Sequence, residues 1–196
     1  MSATLNRAEA FALVNEYTKN SALVNHMRAV ELAMRAYARK LNEDEEKWGV
    51  VGLLHDFDYE RWPNPPDHPL KGSEILCEKG YPEDVIYAIK SHADYLPDCP
   101  RTHLMDKALY ACDELCGFVI AAAQIRPTGI GDMGASSVKK KLKTKHFAKN
   151  VKREDIDRGA ADFGVDLTEH IQFVIDALKP YAEELGVAKG AGGDEG

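Results

Sequence analysis

Several histidines and aspartates of this 196-residue chain occupy positions that a helix would turn toward a protein core. His26, for example, lies one turn after Leu23 and one turn before Val30 on an apolar stripe. Three other side chains have the same inward register, namely His55, His92 and Asp113. A buried imidazole or carboxylate is costly unless it is hydrogen-bonded or binds a cation. Taken singly, each of these residues therefore fits either a hydrogen-bonded core position or a metal ligand.

The order of these residues along the chain is more informative than any one of them. An early histidine precedes a His-Asp pair, two further histidines and a late aspartate, namely His26, His55-Asp56, His68, His92 and Asp113. This order resembles the HD-domain superfamily, which is named after the dipeptide. The segments HPLKG, SHADY and ALYACDELCGF add local similarity to bacterial HD or HDIG phosphohydrolases. Phe57-Asp58 replaces the Ile-Gly of the HDIG variant, so that subfamily pattern is not matched.

The resemblance implies an all-α, HD-domain-like helical bundle that binds one or two divalent metal ions. In the family's minimal signature the ligands would be His26, His55, Asp56 and Asp113. The dinuclear versions add two histidines, here His68 and His92, and Asp56 would then bridge the two metals. Imidazoles mixed with carboxylates suit Fe, Mn, Zn, Co or Ni better than Mg or Ca. Two such ions outweigh two aspartates, so the centre would attract phosphate and acidify a bound water.

The function implied first is that of a metal-dependent phosphohydrolase, in which metal-bound hydroxide attacks a phosphate ester or nucleotide. A second interpretation is a mixed-valent di-iron oxygenase of the same superfamily, because its ligand set is the same. A third is a non-catalytic nucleotide- or metal-binding regulatory module. A colourless Mn or Zn protein would favour the first interpretation, and a brown two-iron protein that consumes O2 would favour the second.

Further residues are candidates for catalysis or substrate binding. Asp58 fits a hydrogen-bond acceptor for a ligand imidazole, a general base, or a solvated loop carboxylate. Lys71 lies one turn after His68 and could meet a phosphate, or it could be an exposed helix lysine. Arg126, Ser137 and Lys140 could bind distal phosphates of a substrate, although a solvated basic face is the simpler explanation. The loop 57–67 could form a wall or lid over the metals, or simply pack.

Charge and hydropathy narrow the classes of molecule that this protein could bind. The net charge of −7 argues against broad nucleic-acid binding, and the basic run at 136–149 lacks interleaved aromatic residues. No apolar run approaches the ~20 residues of a membrane helix, and the first residues lack a signal peptide's apolar stretch. We therefore expect a cytoplasmic protein that acts on a small-molecule phosphate ester or nucleotide. The oligomeric state cannot be read from the sequence.

The elements that position these residues are predicted to be helical throughout. Apolar spacing, prolines and capping residues predict helices over 7–18, 21–41, 44–56, 69–79, 82–92, 102–125, 136–149, 153–163 and 166–185. We expect residues 1–125 to form the metal-binding core and residues 126–186 to pack on the same domain. The glycine-rich end, 187–196, is expected to be disordered.

Overall fold

The structure, a computed structural model, describes residues 5–188. Within that range the chain forms nine α-helices, a short 3-10 helix and no β-strand, which confirms the all-α fold. The helices are α1 (Arg7–Tyr17), α2 (Ser21–Leu41), α3 (Glu45–Leu54), α4 (Asp67–Glu78), α5 (Glu83–Ser91), α6 (Leu104–Gln124), α7 (Ala135–Leu142), α8 (Arg153–Phe163) and α9 (Leu167–Leu178). The 3-10 helix, Lys179–Tyr181, follows α9 directly. Among these helices none is long and apolar enough to cross a membrane.

The chain divides into two compact units, with the boundary between Tyr110 and Ala111 inside α6. The division expected near residue 125 stays a prediction. Most of the tail expected to be disordered, residues 189–196, lies outside the described residues. Val187 is described and buried, and its carbonyl accepts a hydrogen bond of 2.9 Å from the Ile130 N–H.

Helix α3 is the central helix of the first unit, because it packs against α1, α2 and α5. Every residue from Trp48 to Leu54 is buried, so this helix is apolar all round rather than amphipathic. Gly52 lets α3 approach α2 closely, since a Cβ there would lie 2.9 Å from the Val30 carbonyl oxygen. This close approach brings the end of α3, where His55 lies, next to the face of α2 that carries His26.

Helix α2 buries the predicted apolar stripe except at its two ends. Met27, Val30 and Met34 are fully buried, whereas Leu23 is only partly buried. Leu41, the last residue of the helix, is 37% exposed.

A partly buried ion-pair network joins the first three helices. The Glu31 carboxylate, 1% exposed, accepts hydrogen bonds from Arg7 Nε at 2.6 Å and Arg35 Nε at 3.0 Å. Arg35 also donates to Glu46 Oε2 at 2.8 Å, and the Arg7 backbone N–H donates to Glu46 Oε1 at 2.8 Å. The network therefore links α1 to α2, which carries His26, and to α3, which His55 directly follows.

In the second unit, α9 packs against α7 and α8. Gly164 closes α8 with φ of 75°, and the Asp166 side chain caps α9 by accepting from the Thr168 and Glu169 N–H groups. Both features follow the sequence, since glycine favours the left-handed conformation and aspartate favours the N-cap.

Three predicted helix ends are wrong. The basic helix ends at Leu142 rather than 149, because Arg153 donates to the carbonyls of Leu142, Thr144 and Phe147 and holds the following segment in a loop. The last helix ends at Leu178 rather than 185, where Pro180 has no N–H for an α-helical bond. The long helix begins at Leu104, and the residue that accepts from the preceding N–H groups is Asp106 rather than Thr102.

Candidate metal centre

Two of the predicted ligands are the first residues after a helix. His55 follows α3 and His92 follows α5. In each ring Nδ1 lies beside the carbonyl three residues earlier, at 2.8 Å from Gly52 O and 2.5 Å from Ile89 O. A carbonyl oxygen only accepts hydrogen bonds, so Nδ1 carries the proton in both rings. Nε2 of each neutral ring then presents a lone pair, as a metal ligand requires.

His68 is oriented by a carboxylate. It has extended backbone, with ψ of 132°, as residues before proline favour, and its ring Nδ1 lies 2.8 Å from Asp58 Oδ1. Asp58 is 1% exposed, and its other oxygen accepts a 2.9 Å hydrogen bond from the Gly72 N–H. Gly72 makes this approach possible, because a Cβ there would lie 2.8 Å from Asp58 Cγ. Asp58 thus holds the His68 ring with its Nε2 directed away.

The histidine Nε2 atoms meet in two pairs. His26 Nε2 lies 3.2 Å from His55 Nε2, and His68 Nε2 lies 3.2 Å from His92 Nε2. At this distance either one ring donates an Nε2–H to the other, or both lone pairs point at a shared metal ion. The paired geometry therefore fits two neighbouring cation positions.

Asp56 lies between the two histidine pairs. Its Oδ2 is 3.5 Å from His55 Nε2 and 3.9 Å from His26 Nε2, and its Oδ1 is 3.3 Å from His68 Nε2 and 3.5 Å from His92 Nε2. One carboxylate oxygen thus faces each pair. Asp56, His68 and His92 offer ligand atoms that all lie within 4.8 Å of one another. Imidazole nitrogens with a carboxylate oxygen form a donor set that suits a divalent transition metal.

The electrostatics of this cluster favour positive charge. Burial alone would raise the pKa of the Asp56 carboxyl, but the rings of His55, His68 and His92 outweigh it and hold that pKa well below its usual range. Burial likewise opposes a charge on His68, yet contacts with Asp56 and Asp58 raise the pKa of His68 to about 9. Both shifts reflect the attraction between the carboxylates and the imidazole rings of this cluster.

Two tyrosines lie beside His68 at the edge of the cluster. The Tyr59 ring contacts the His68 ring edge-on, with centroids 5.1 Å apart, and the Tyr95 hydroxyl donates to the His68 carbonyl. Burial, with Asp56 and Asp58 nearby, raises the pKa of Tyr95 to about 12. Both tyrosines are partly exposed, at 39% and 43%. They are thus the aromatic groups placed to meet a molecule that approaches His68.

The loop 57–67 combines both expected roles. Tyr59 contacts the cluster, whereas Trp62 packs on Tyr17 of α1 with centroids 6.2 Å apart. Glu60 Oε2 accepts from the Lys19 and Asn20 N–H groups, which fixes the loop to the turn before α2. Only the first part of this loop therefore forms a wall beside the histidines.

Of the remaining candidates, only Lys71 belongs to the first unit. Asp113 is on α6 beyond the unit boundary, so its ligation of a metal stays a prediction. Lys71 Nζ forms an ion pair of 3.0 Å with Glu74 Oε2 at the surface of α4, and nothing places it against a phosphate. Arg126, Ser137 and Lys140 belong to the second unit, where they line one cavity.

Some functional contacts were not anticipated from the sequence. Asp58 was a candidate for three roles, and its burial excludes the solvated one. The carbonyls of Gly52 and Ile89 were not anticipated, although each stands three residues before a ligand at a helix end. Tyr95 was also missed, and its position three residues after His92 was the available signal.

Comparison with known protein families identifies a match over the part of the chain that contains this cluster. The family model described as HD domain matches residues 23–116. That range contains all five residues that converge here, together with Asp113. No solved structure matches the chain.

Proposed function

We propose that this chain, whose residues 23–116 match the HD-domain family, is a metal-dependent phosphohydrolase that cleaves a phosphate ester of a small molecule or nucleotide. The observation that carries the proposal is the position of Asp56, whose two oxygens face separate pairs of histidine nitrogens. A carboxylate so placed can bridge two ions, and two ions held close together suit in-line displacement at phosphorus.

The residues divide into two sets of metal ligands. His26 and His55 would hold one ion, with Asp113 as the proposed carboxylate partner, and His68 and His92 would hold the other. Asp56 would belong to both sets. Fe, Mn, Zn, Co or Ni fits these donors. When bound, the ions would supply a water of lowered pKa and neutralise the charge of the phosphate.

The chain's own groups would orient these ligands and receive the substrate. The carbonyls of Gly52 and Ile89 fix the tautomers of His55 and His92, and Asp58 fixes that of His68. Ligands held in this way lose little orientational freedom when the metal binds. The hydroxyl of Tyr95 stays protonated at neutral pH, so it would remain a neutral group beside an incoming phosphate ester.

Phosphate release from a broad substrate panel tests this function. We expect the purified chain, supplied separately with each of the five metals, to hydrolyse at least one phosphomonoester, phosphodiester or nucleotide, with release of phosphate from a monoester or of an alcohol from a diester. A chelator should abolish the release, and added metal should restore it. Elemental analysis of the same samples verifies that metal is bound.

Three results would contradict the proposal. Metal-loaded protein that hydrolyses no member of the panel would exclude the hydrolase. Substrate-dependent O2 consumption by a brown protein with two irons would identify the di-iron oxygenase instead. Tight nucleotide binding without turnover would identify a regulatory module.

A further inference from the structure

The second unit contains a positively charged cavity that the metal centre does not use. Its volume is about 380 Å³, near the lower end of the range for small-molecule sites. The lining residues are Ala122, Arg126, Met133, Ser137, Lys140, Lys141 and Thr144. Three of them are cations, two carry hydroxyl groups and none is an acid. A cavity of this composition matches an anion.

Arg126 is held in place by its surroundings. Its Nε donates to Gly129 O at 3.2 Å and its Nη2 to Asp132 Oδ1 at 2.7 Å. Asp132 is itself fixed by the hydroxyl of Thr128. The remaining nitrogen, Nη1, makes only a long 3.5 Å contact with Ser137 Oγ, which also lines the cavity. The guanidinium is thus preorganised, with one edge still able to donate a strong hydrogen bond.

The lysines of α7 differ in the contacts that their ammonium groups make. Lys139 Nζ donates to Thr168 Oγ1 at 2.7 Å, outside the cavity, and Lys141 Nζ lies 4.9 Å from the centre of the Phe147 ring. Within residues 5–188, Lys140 forms no ion pair or hydrogen bond through its ammonium group. The helix contains no acidic residue, although the chain as a whole has a net charge of −7.

We infer that this cavity binds the phosphate group of a small molecule. Like charges gathered around one cavity repel each other, and a phosphate would offset that repulsion while accepting charge-assisted hydrogen bonds from Arg126 and Lys140. The hydroxyls of Ser137 and Thr144 add neutral donors. The phosphate could be a distal group of the hydrolase's own substrate or belong to a separate ligand. The inference concerns binding alone and does not require hydrolysis.

Binding of inorganic phosphate and pyrophosphate to the full chain tests the inference. Calorimetric titration of chelator-treated protein should show one saturable site whose affinity falls as sodium chloride is added. Lys140→Gln should weaken binding about tenfold, through loss of one charge-assisted hydrogen bond. Arg126→Gln should weaken it more, but Arg126 also has structural contacts. The ammonium group of Lys140 has no such contacts among the described residues, so Lys140→Gln still tests the inference if Arg126→Gln fails to fold.

Lys139→Gln is the matched control, because it removes the same charge from the same helix but not from the cavity. Its affinity should stay within about twofold of the unchanged protein. Absence of saturable binding, or equal weakening by Lys139→Gln and Lys140→Gln, would overturn the inference. With a substrate found in the panel, a rise in KM for Lys140→Gln would identify the phosphate as part of the substrate. Loss of phosphate binding with an unchanged KM would identify a separate ligand.

Discussion

Asp56→Asn is expected to remove metal from the centre and to slow phosphate release about a thousandfold, which corresponds to about 4 kcal/mol of transition-state stabilisation. Asp56 is the group that both histidine pairs share, at 3.3–3.9 Å from their Nε2 atoms. An amide is a weaker ligand than a carboxylate and brings no negative charge. The loss should therefore affect both ions, which a change at a single histidine would not do. Metal content by elemental analysis and the rate of phosphate release are the two measurements.

Asp84→Asn is the matched control for this change. Asp84 forms a surface ion pair of 2.7 Å with Lys47, and such exposed pairs contribute about 1 kcal/mol or less to stability. The control should keep its metal and its rate within about twofold. If Asp56→Asn folds normally by circular dichroism and retains full metal content and rate, the bridging role of Asp56 is wrong.

Asp58→Asn is expected to weaken metal binding about 10- to 100-fold, the usual cost of removing a partner that orients a ligand. Asp58 accepts two hydrogen bonds, one from His68 Nδ1 at 2.8 Å and one from the Gly72 N–H at 2.9 Å. An asparagine has only one acceptor oxygen, so its NH2 group would face one of these two donors. Either the His68 ring turns or the buried Gly72 N–H loses its partner. Both outcomes disturb the ligand pair of His68 and His92.

The dependence of rate on metal concentration separates the two roles that the sequence left open for Asp58. If Asp58 orients His68, saturating metal should largely offset the loss of Asp58. In that case kcat recovers, while the metal concentration needed for half-maximal activity rises. If Asp58 is instead a general base, its loss would leave kcat low at any metal concentration. The second result would contradict the orienting role. Asp84→Asn again serves as the control and should shift neither parameter.

The histidine positions could be predicted because their signals are local. His26 belongs to a helical stripe with Leu23 and Val30 as neighbours, and His55 ends a run of apolar residues that only a central helix would have. His68 was different, because no stripe contains it and its placement beside His92 depends on the extended backbone before Pro69. It was identified through the family resemblance rather than through periodicity.

Features that depend on contacts between distant residues were the ones that could not be predicted. The end of α7 is set by Arg153, which donates to three carbonyls that lie six to eleven residues earlier. The fit between Asp58 and Gly72 depends on a missing Cβ fourteen residues away. Gly52 similarly sets the approach of α3 to α2. A single sequence shows that these glycines are present, but not which neighbour each of them accommodates.

The basic cavity is lined by residues that the sequence grouped together and by further residues that it did not. The sequence grouped Arg126, Ser137 and Lys140 as possible phosphate ligands because Ser137 and Lys140 belong to the basic run and Arg126 precedes it. The structure places all three around one cavity and adds Lys141 and Thr144. It also separates Lys139, which turns toward Thr168. This distinction arises from the helical register, and it provides the matched control for the binding experiment.

Anomalous scattering from crystals of the protein, purified without added metal, is the most direct test of the central claim. The account predicts two peaks about 3.5–4 Å apart, one at the Nε2 atoms of His26 and His55 and one at those of His68 and His92, with Asp56 in contact with both. Ligand distances should be about 2.0–2.2 Å, as for imidazole and carboxylate bound to zinc and similar ions. No peak within that distance of any of these side chains, in crystals of metal-competent protein, would contradict it.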